Sequence, residues 1–142
     1  MKPLNRGAKS SPATHESVTR TMLLQCYTAL DAFRLGYGSR ELFATLGRYL
    51  LVAGELCHVG HQSDETGYIA EAQAAAAQLD ATEKQDGGWL LDDADYTRLR
   101  VAFAILDEQL SVASPEDIAK AETSIGESPL GAERKPTVGE AM

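Results

Sequence analysis

Glu55, Cys57, His58 and His61 fall within seven consecutive positions. They bring together a carboxylate, a thiol and two imidazoles, the side chains that bind transition metals. Glu55 and His58 form a Glu-x-x-His pair, the spacing that sets a carboxylate and an imidazole on one helix face in di-iron bundles. Such a centre needs a second pair and two further carboxylates. The last long helical pattern supplies Asp107 and Glu108 but no histidine, and His15 stands far upstream. Zinc is no better served, since neither Cys-x-x-Cys nor His-x-x-x-His spacing occurs. The simpler reading puts His58 and His61 at a helix C-terminus, where imidazoles donate to unpaired carbonyls and meet the negative end of the dipole. No cofactor is expected, and these four residues are the only metal candidates.

Other catalytic patterns are missing. The chain has no Gly-x-Ser-x-Gly elbow, no phosphate loop ending in Lys-Ser/Thr and no Gly-x-Gly-x-x-Gly fingerprint. Asp92, Asp93 and Asp95 lack the rest of a calcium loop and read as acids at a helix start. Catalytic residues are therefore not expected.

These side chains are carried by a chain of 142 residues, the length of one domain, and 44% apolar composition is enough for a packed core. Thirteen basic against 21 acidic residues leave a formal charge of −8, which argues against binding nucleic acid by phosphate neutralisation. Cys26 and Cys57 are too few for a disulfide scaffold and lie in helical patterns, so both are expected as free buried thiols. The basic N-terminus is not followed by the apolar segment of a secretory signal, and no apolar run approaches the ~18–20 residues of a membrane span. A cytoplasmic protein that does not enter the membrane is expected.

Charge divides the chain into three parts. Residues 1–14 carry Lys2, Arg6 and Lys9 and no acid, and read as a flexible basic arm. Residues 15–113 hold almost all the large apolar side chains and a net charge of −8, and form the folded domain. Residues 114–142, with dispersed prolines and glycines and a net charge of −3, read as a short helix followed by a disordered acidic tail.

Within the domain the apolar spacing is helical throughout. The first helix runs from about His15 to Leu35 with a stripe of Leu23, Tyr27, Leu30 and Phe33, and Gly36 stops it. The second follows the N-cap Ser39 and carries Leu42, Leu46, Leu50, Ala53 and Cys57. A third, starting after Ser63, has a thin stripe of Ile69, Ala72, Ala76 and Leu79. The fourth opens at Asp92 or Asp93 and is marked by Leu99, Phe103, Leu106 and Leu110. Ser114-Pro115 starts a short fifth helix to about Glu122. Leu35–Glu41 and Val59–Glu65 repeat one pattern, a glycine stop and then a serine start. Such short connections force antiparallel neighbours, so the expected fold is an all-α antiparallel four-helix bundle.

Three residues stand out as contact points. Gly47 and Gly54 each cost about 1 kcal/mol against alanine inside a helix, and their spacing of seven puts them on one stripe that something approaches closely. The first candidate is the alanine-rich third helix; a dimer partner or a small ligand is the alternative. Trp89, the sole tryptophan, either plugs the end of the bundle or anchors a partner.

The segment Gly88-Trp89-Leu90-Leu91 before Asp95-Tyr96, followed by Leu99, Ala102, Ile105-Leu106-Asp107 and Gln109-Leu110, resembles a group of short, uncharacterised, all-helical proteobacterial proteins. These are carried on plasmids, phages or integrated elements and are sometimes labelled Fis-type regulators. The resemblance spans roughly residues 20–113. It implies a regulatory role for a mobile-element protein. It differs in having Leu106 where the group has histidine and Asp95 where it has glutamate. A DNA-reading helix needs a basic polar face, whereas the fourth helix has Arg98 and Arg100 against five acids from Asp92 to Glu108. Direct nucleic-acid binding is therefore not expected. The leading expectation is a non-enzymatic, self-associating regulatory module that binds another protein. One specific form is an acidic inhibitor of a nucleic-acid-binding partner. A metal-binding bundle using Glu55 and His58, and a DNA-binding transcriptional regulator, are the alternatives.

Overall fold

Short polar caps set the helix boundaries. In the computed structural model, which describes residues 12–127, the chain forms α1 (Pro12–Arg34), α2 (Arg40–His58), α3 (Thr66–Asp86), α4 (Asp93–Val112) and α5 (Pro115–Glu127). No strand occurs among the described residues. Ser39 Oγ accepts from the Leu42 amide at 3.1 Å, Asp92 Oδ1 from Asp95 at 2.8 Å and Ser114 Oγ from Asp117 at 3.1 Å, each satisfying an amide that the first helical turn leaves free. α1 begins at Pro12, three residues before the expected start, because proline is tolerated in a first turn. The basic residues Lys2, Arg6 and Lys9, and the tail beyond Glu127, lie outside the described residues.

The two copies of the glycine-serine connection agree at the glycine and part at the serine. Gly36 (φ 88°) and Gly60 (φ 107°) both turn through the left-handed region after a helix. In the first copy Ser39 caps the next helix. In the second, Ser63 Oγ reaches back and donates to the Cys57 carbonyl at the end of α2 at 2.9 Å. A single 3-10 turn, Ser63–Glu65, then precedes α3, which starts at Thr66 and not directly after Ser63. With the 3-10 turn between them, Ser63 is not the N-cap of α3; Glu65 holds that position, without a side-chain cap hydrogen bond.

Each of α1 to α4 packs on its chain neighbour, and α1 closes on α4. Antiparallel register is fixed by cross-helix pairs: Tyr27 against Phe103 and Arg34 against Tyr96 between α1 and α4, and Arg40 against Asp80 and Glu83 between α2 and α3. The fold is thus the expected all-α four-helix bundle. Leu30, Phe33, Leu46, Leu50, Leu56, Leu99, Phe103 and Leu106 are fully buried, each contributing roughly 1.5–3 kcal/mol of apolar burial. Ala72, Ala75 and Ala76 are buried on α3, whose slender face lets its neighbours close in.

α2 is the central rod, touching α1, α3, α4 and α5. α5 runs to Glu127, longer than the expected end at Glu122, and Ile118, Ala121 and Ile125 join the common core. The core therefore continues past Ala113, the expected end of the bundle domain, into the expected fifth helix.

Candidate functional site

The C-terminal end of α2 is organised by a residue of α4 that sequence reasoning did not single out. Gln109 is completely buried. Its Nε2 donates to the carbonyls of Ala53 and His61, both at 3.0 Å, and lies 3.3 Å from Cys57 Sγ. The Cys57 thiol donates in turn to the Gln62 carbonyl at 3.3 Å. Gln109 thereby ties α4 to the Ala53 carbonyl inside α2 and to the His61 carbonyl in the turn beyond it, while the end carbonyls of Glu55, Leu56 and Cys57 are taken by the Val59, His61 and Gly60 amides. Its own Oε1 is buried without a partner. The signal was present in the sequence, as a polar residue at the next core position after Leu106 in the α4 pattern.

The four metal candidates take separate roles around this point. Cys57 is buried against Gln109. His61 is partly buried, with Nε2 2.9 Å from Asp117 Oδ2, tying the α2–α3 connection to the first turn of α5. His58 is exposed and Glu55 is half-buried. Among the described residues no three His, Cys, Asp or Glu side chains converge where they could hold a metal ion. Cys26, the other thiol, lies deep between helices, and burial pushes its pKa up to about 12, so it stays protonated and unreactive.

The opposite end of the bundle gathers the aromatic residues. The half-buried Trp89 packs edge-on to Phe33 and stacks on Phe43, with ring centroids 5.5 Å away in both cases. The Arg40 guanidinium covers the tryptophan ring at 4.7 Å from its centroid. It is held there by Asp80 at 2.8 Å and Glu83 at 2.9 Å. Burial raises the Asp80 pKa, but hydrogen bonds from Arg40 and Lys84 outweigh it and hold the carboxyl below its usual range. Gly38 makes this packing feasible: a Cβ there would lie on the Phe33 ring and 2.7 Å from Trp89 Cβ.

Gly54 is likewise used within the chain. A Cβ at this position would stand 3.2 Å from Gln73 Nε2, the amide that reaches from α3 to the Leu50 carbonyl. The close visitor at Gly54 is thus α3. Gly47 is buried on the same stripe, between Gly54 and the Arg40 contact with α3.

Two surface features were not legible in the sequence. Leu35, Tyr37 and Leu90 are 69%, 75% and 73% exposed. All three flank the Gly38–Trp89 contact, which brings the α1–α2 and α3–α4 connections together. A groove of about 400 Å³ between α1 and α4, lined by Arg34, Asp93, Tyr96, Arg100, Val101 and Ala104 among others, runs down from beside this end. No helix among the described residues is long and apolar enough to cross a membrane. Compared with protein-family models, curated proteins and solved structures, the chain shows no significant match to any of them.

Proposed function

We propose that this protein is a non-enzymatic interaction module that docks a protein partner through the Trp89 end of the bundle. The observation that carries the reading is the grouping of Leu35, Tyr37 and Leu90, all more than two-thirds exposed, around a rigid Trp89–Phe43–Arg40 stack. Exposed apolar side chains scattered singly need no explanation; three large ones on adjoining connections of one end mark a contact surface. The neighbouring residues give the partner's chemistry. Glu41, Asp86, Asp92 and Asp93 are exposed at the helix ends beside the patch and outnumber Arg34, the one cation at this end with no carboxylate within 4.0 Å among the described residues, since Arg40 and Lys84 are already paired. An apolar centre edged by free acids suits a partner with an apolar spot inside a basic surface, such as a protein that itself binds nucleic acid. Acting on such a partner, the module is an acidic inhibitor that occupies the basic surface.

The experiment is affinity capture from extracts of the source organism with the full chain and with a Leu35→Ser/Tyr37→Ser/Leu90→Ser variant. The expected result is a basic protein retained by the parent chain, released by salt, and absent with the variant, whose circular dichroism and melting are unchanged. Equal capture by both proteins overturns the docking surface.

A further inference from the structure

Arg34 and Arg100 differ from the arginines around them. Arg40, Arg48 and Arg98 each have a carboxylate oxygen within 3.1 Å. Among the described residues, neither Arg34 nor Arg100 has one within 4.0 Å, and both side chains line the α1/α4 groove. Both guanidinium carbons also address one ring, standing 4.2 Å and 5.9 Å from the Tyr96 centroid. The ring holds the cations by cation–π attraction, which leaves their planar N–H edges free to donate. Guanidinium edges match carboxylate and phosphate oxygens bidentately, and cations already held against a ring lose less freedom on binding.

We infer that this groove binds a small organic oxyanion, a carboxylate or phosphate group borne on a short apolar body. The charged group would lie at Arg34 and Arg100 and the apolar body along Val101 and Ala104, in a space of about 400 Å³ that suits one small molecule. The formal charge of −8 does not defeat such a site. At physiological salt the screening length is about 8 Å, so most of the surface acids act weakly on the groove and the two adjacent cations decide its sign. Asp93 lines the same groove and opposes an incoming anion.

The test follows the arginine Nε–H and tyrosine ring signals by NMR while inorganic phosphate or hexanoate is added to the full chain, with ionic strength held constant by chloride. Signals of Arg34, Arg100 and Tyr96 are expected to shift together and saturate. A tighter fit for hexanoate identifies a carboxylate on an apolar body as the ligand, and a tighter fit for phosphate identifies a phosphate. The Arg34→Gln/Arg100→Gln variant is expected to weaken binding by about tenfold or more, and Asp93→Asn to tighten it by about threefold. Tyr96→Phe keeps the ring and the affinity, while the remote change Lys120→Gln alters nothing. Because Arg34 and Arg100 are exposed, the double variant keeps its fold, which circular dichroism verifies. Linear, unsaturating shifts, equal shifts with chloride alone, or undiminished binding by the double arginine variant overturn the site. The docking end is tested separately through Leu35, Tyr37 and Leu90, so failure of one assignment leaves the other standing.

Discussion

Replacing Gln109 by glutamate keeps the length of the side chain and converts its donor end into a carboxyl group facing two carbonyl oxygens. In the parent chain Nε2 stands 3.0 Å from the Ala53 and His61 oxygens in a fully buried position. A neutral carboxyl has one hydrogen and can serve only one of them. An ionised carboxylate would be buried against both oxygens with no cation beside it. Both effects favour the protonated form, so the folded-state pKa of Gln109→Glu must rise well above the unfolded value of about 4.3. A group whose folded pKa is raised loses stability as pH climbs through the interval between the two values. A rise of about three units corresponds to about 4 kcal/mol lost between roughly pH 4 and pH 8, on top of about 1–3 kcal/mol for the stranded acceptor. Gln109→Leu removes the donor without adding a titrating group, and also removes the unpartnered Oε1. It is expected to cost about 1–3 kcal/mol at every pH. Urea unfolding followed by helical circular dichroism at several pH values, each variant read against the parent chain, separates the two. Equal losses for glutamate and leucine at all pH values, or losses under about 0.5 kcal/mol for both, would refute the role given to Gln109.

Gly38→Ala forces a methyl group into Phe33 and Trp89 and is expected to cost about 1–3 kcal/mol, with a red shift of tryptophan fluorescence; an unchanged spectrum and melting point would contradict the packing described at that end. At Gly54, alanine gains about 1 kcal/mol of helix propensity but crowds Gln73 Nε2 at 3.2 Å, so its melting point should stay near the parent value, whereas leucine should lower it sharply because α3 occupies the space. Cys26, pushed up to about 12 by burial, should resist iodoacetamide in the folded chain and react once urea unfolds it, as read by mass spectrometry. Because its folded pKa lies above the ordinary thiol value of 9.0, it favours folding below that value, and the contribution fades as pH rises from about 9 toward 12; Cys26→Ala should flatten that alkaline slope. Asp80 has the opposite sign: its lowered pKa supports folding at neutral pH, and the support is lost in acid as the carboxyl protonates, so Asp80→Asn should cost under about 1 kcal/mol at neutral pH and nothing in strong acid.

Much of the helical framework was legible because its causes are local. Ser39, Asp92 and Ser114 cap the first turns they precede, Gly36 and Gly60 close the helices they follow, and the stripes of α3 and α4 are buried as their spacing predicts. Ser63 was misread because a 3-10 turn follows it and moves the start of α3 to Thr66, while its hydroxyl is drawn back to the Cys57 carbonyl, a contact that only the fold supplies. The histidine cluster was legible as residues but not as a place, since a spacing along one helix says nothing about what the facing helix offers. Gln109 of α4 takes up the Ala53 carbonyl, and Asp117 of α5 takes up His61, across 56 positions in each case.

The order and polarity of the helices, the acidic balance and the buried thiols were written in the chain itself, because each depends on composition or on neighbours a turn away. Which connections meet at Trp89, which arginines stay free beside Tyr96 and which side-chain amide fastens α4 to α2 were decided only in three dimensions. Those outcomes depend on how far each rod slides and rotates against the next, and that is settled by the packing of all of them at once.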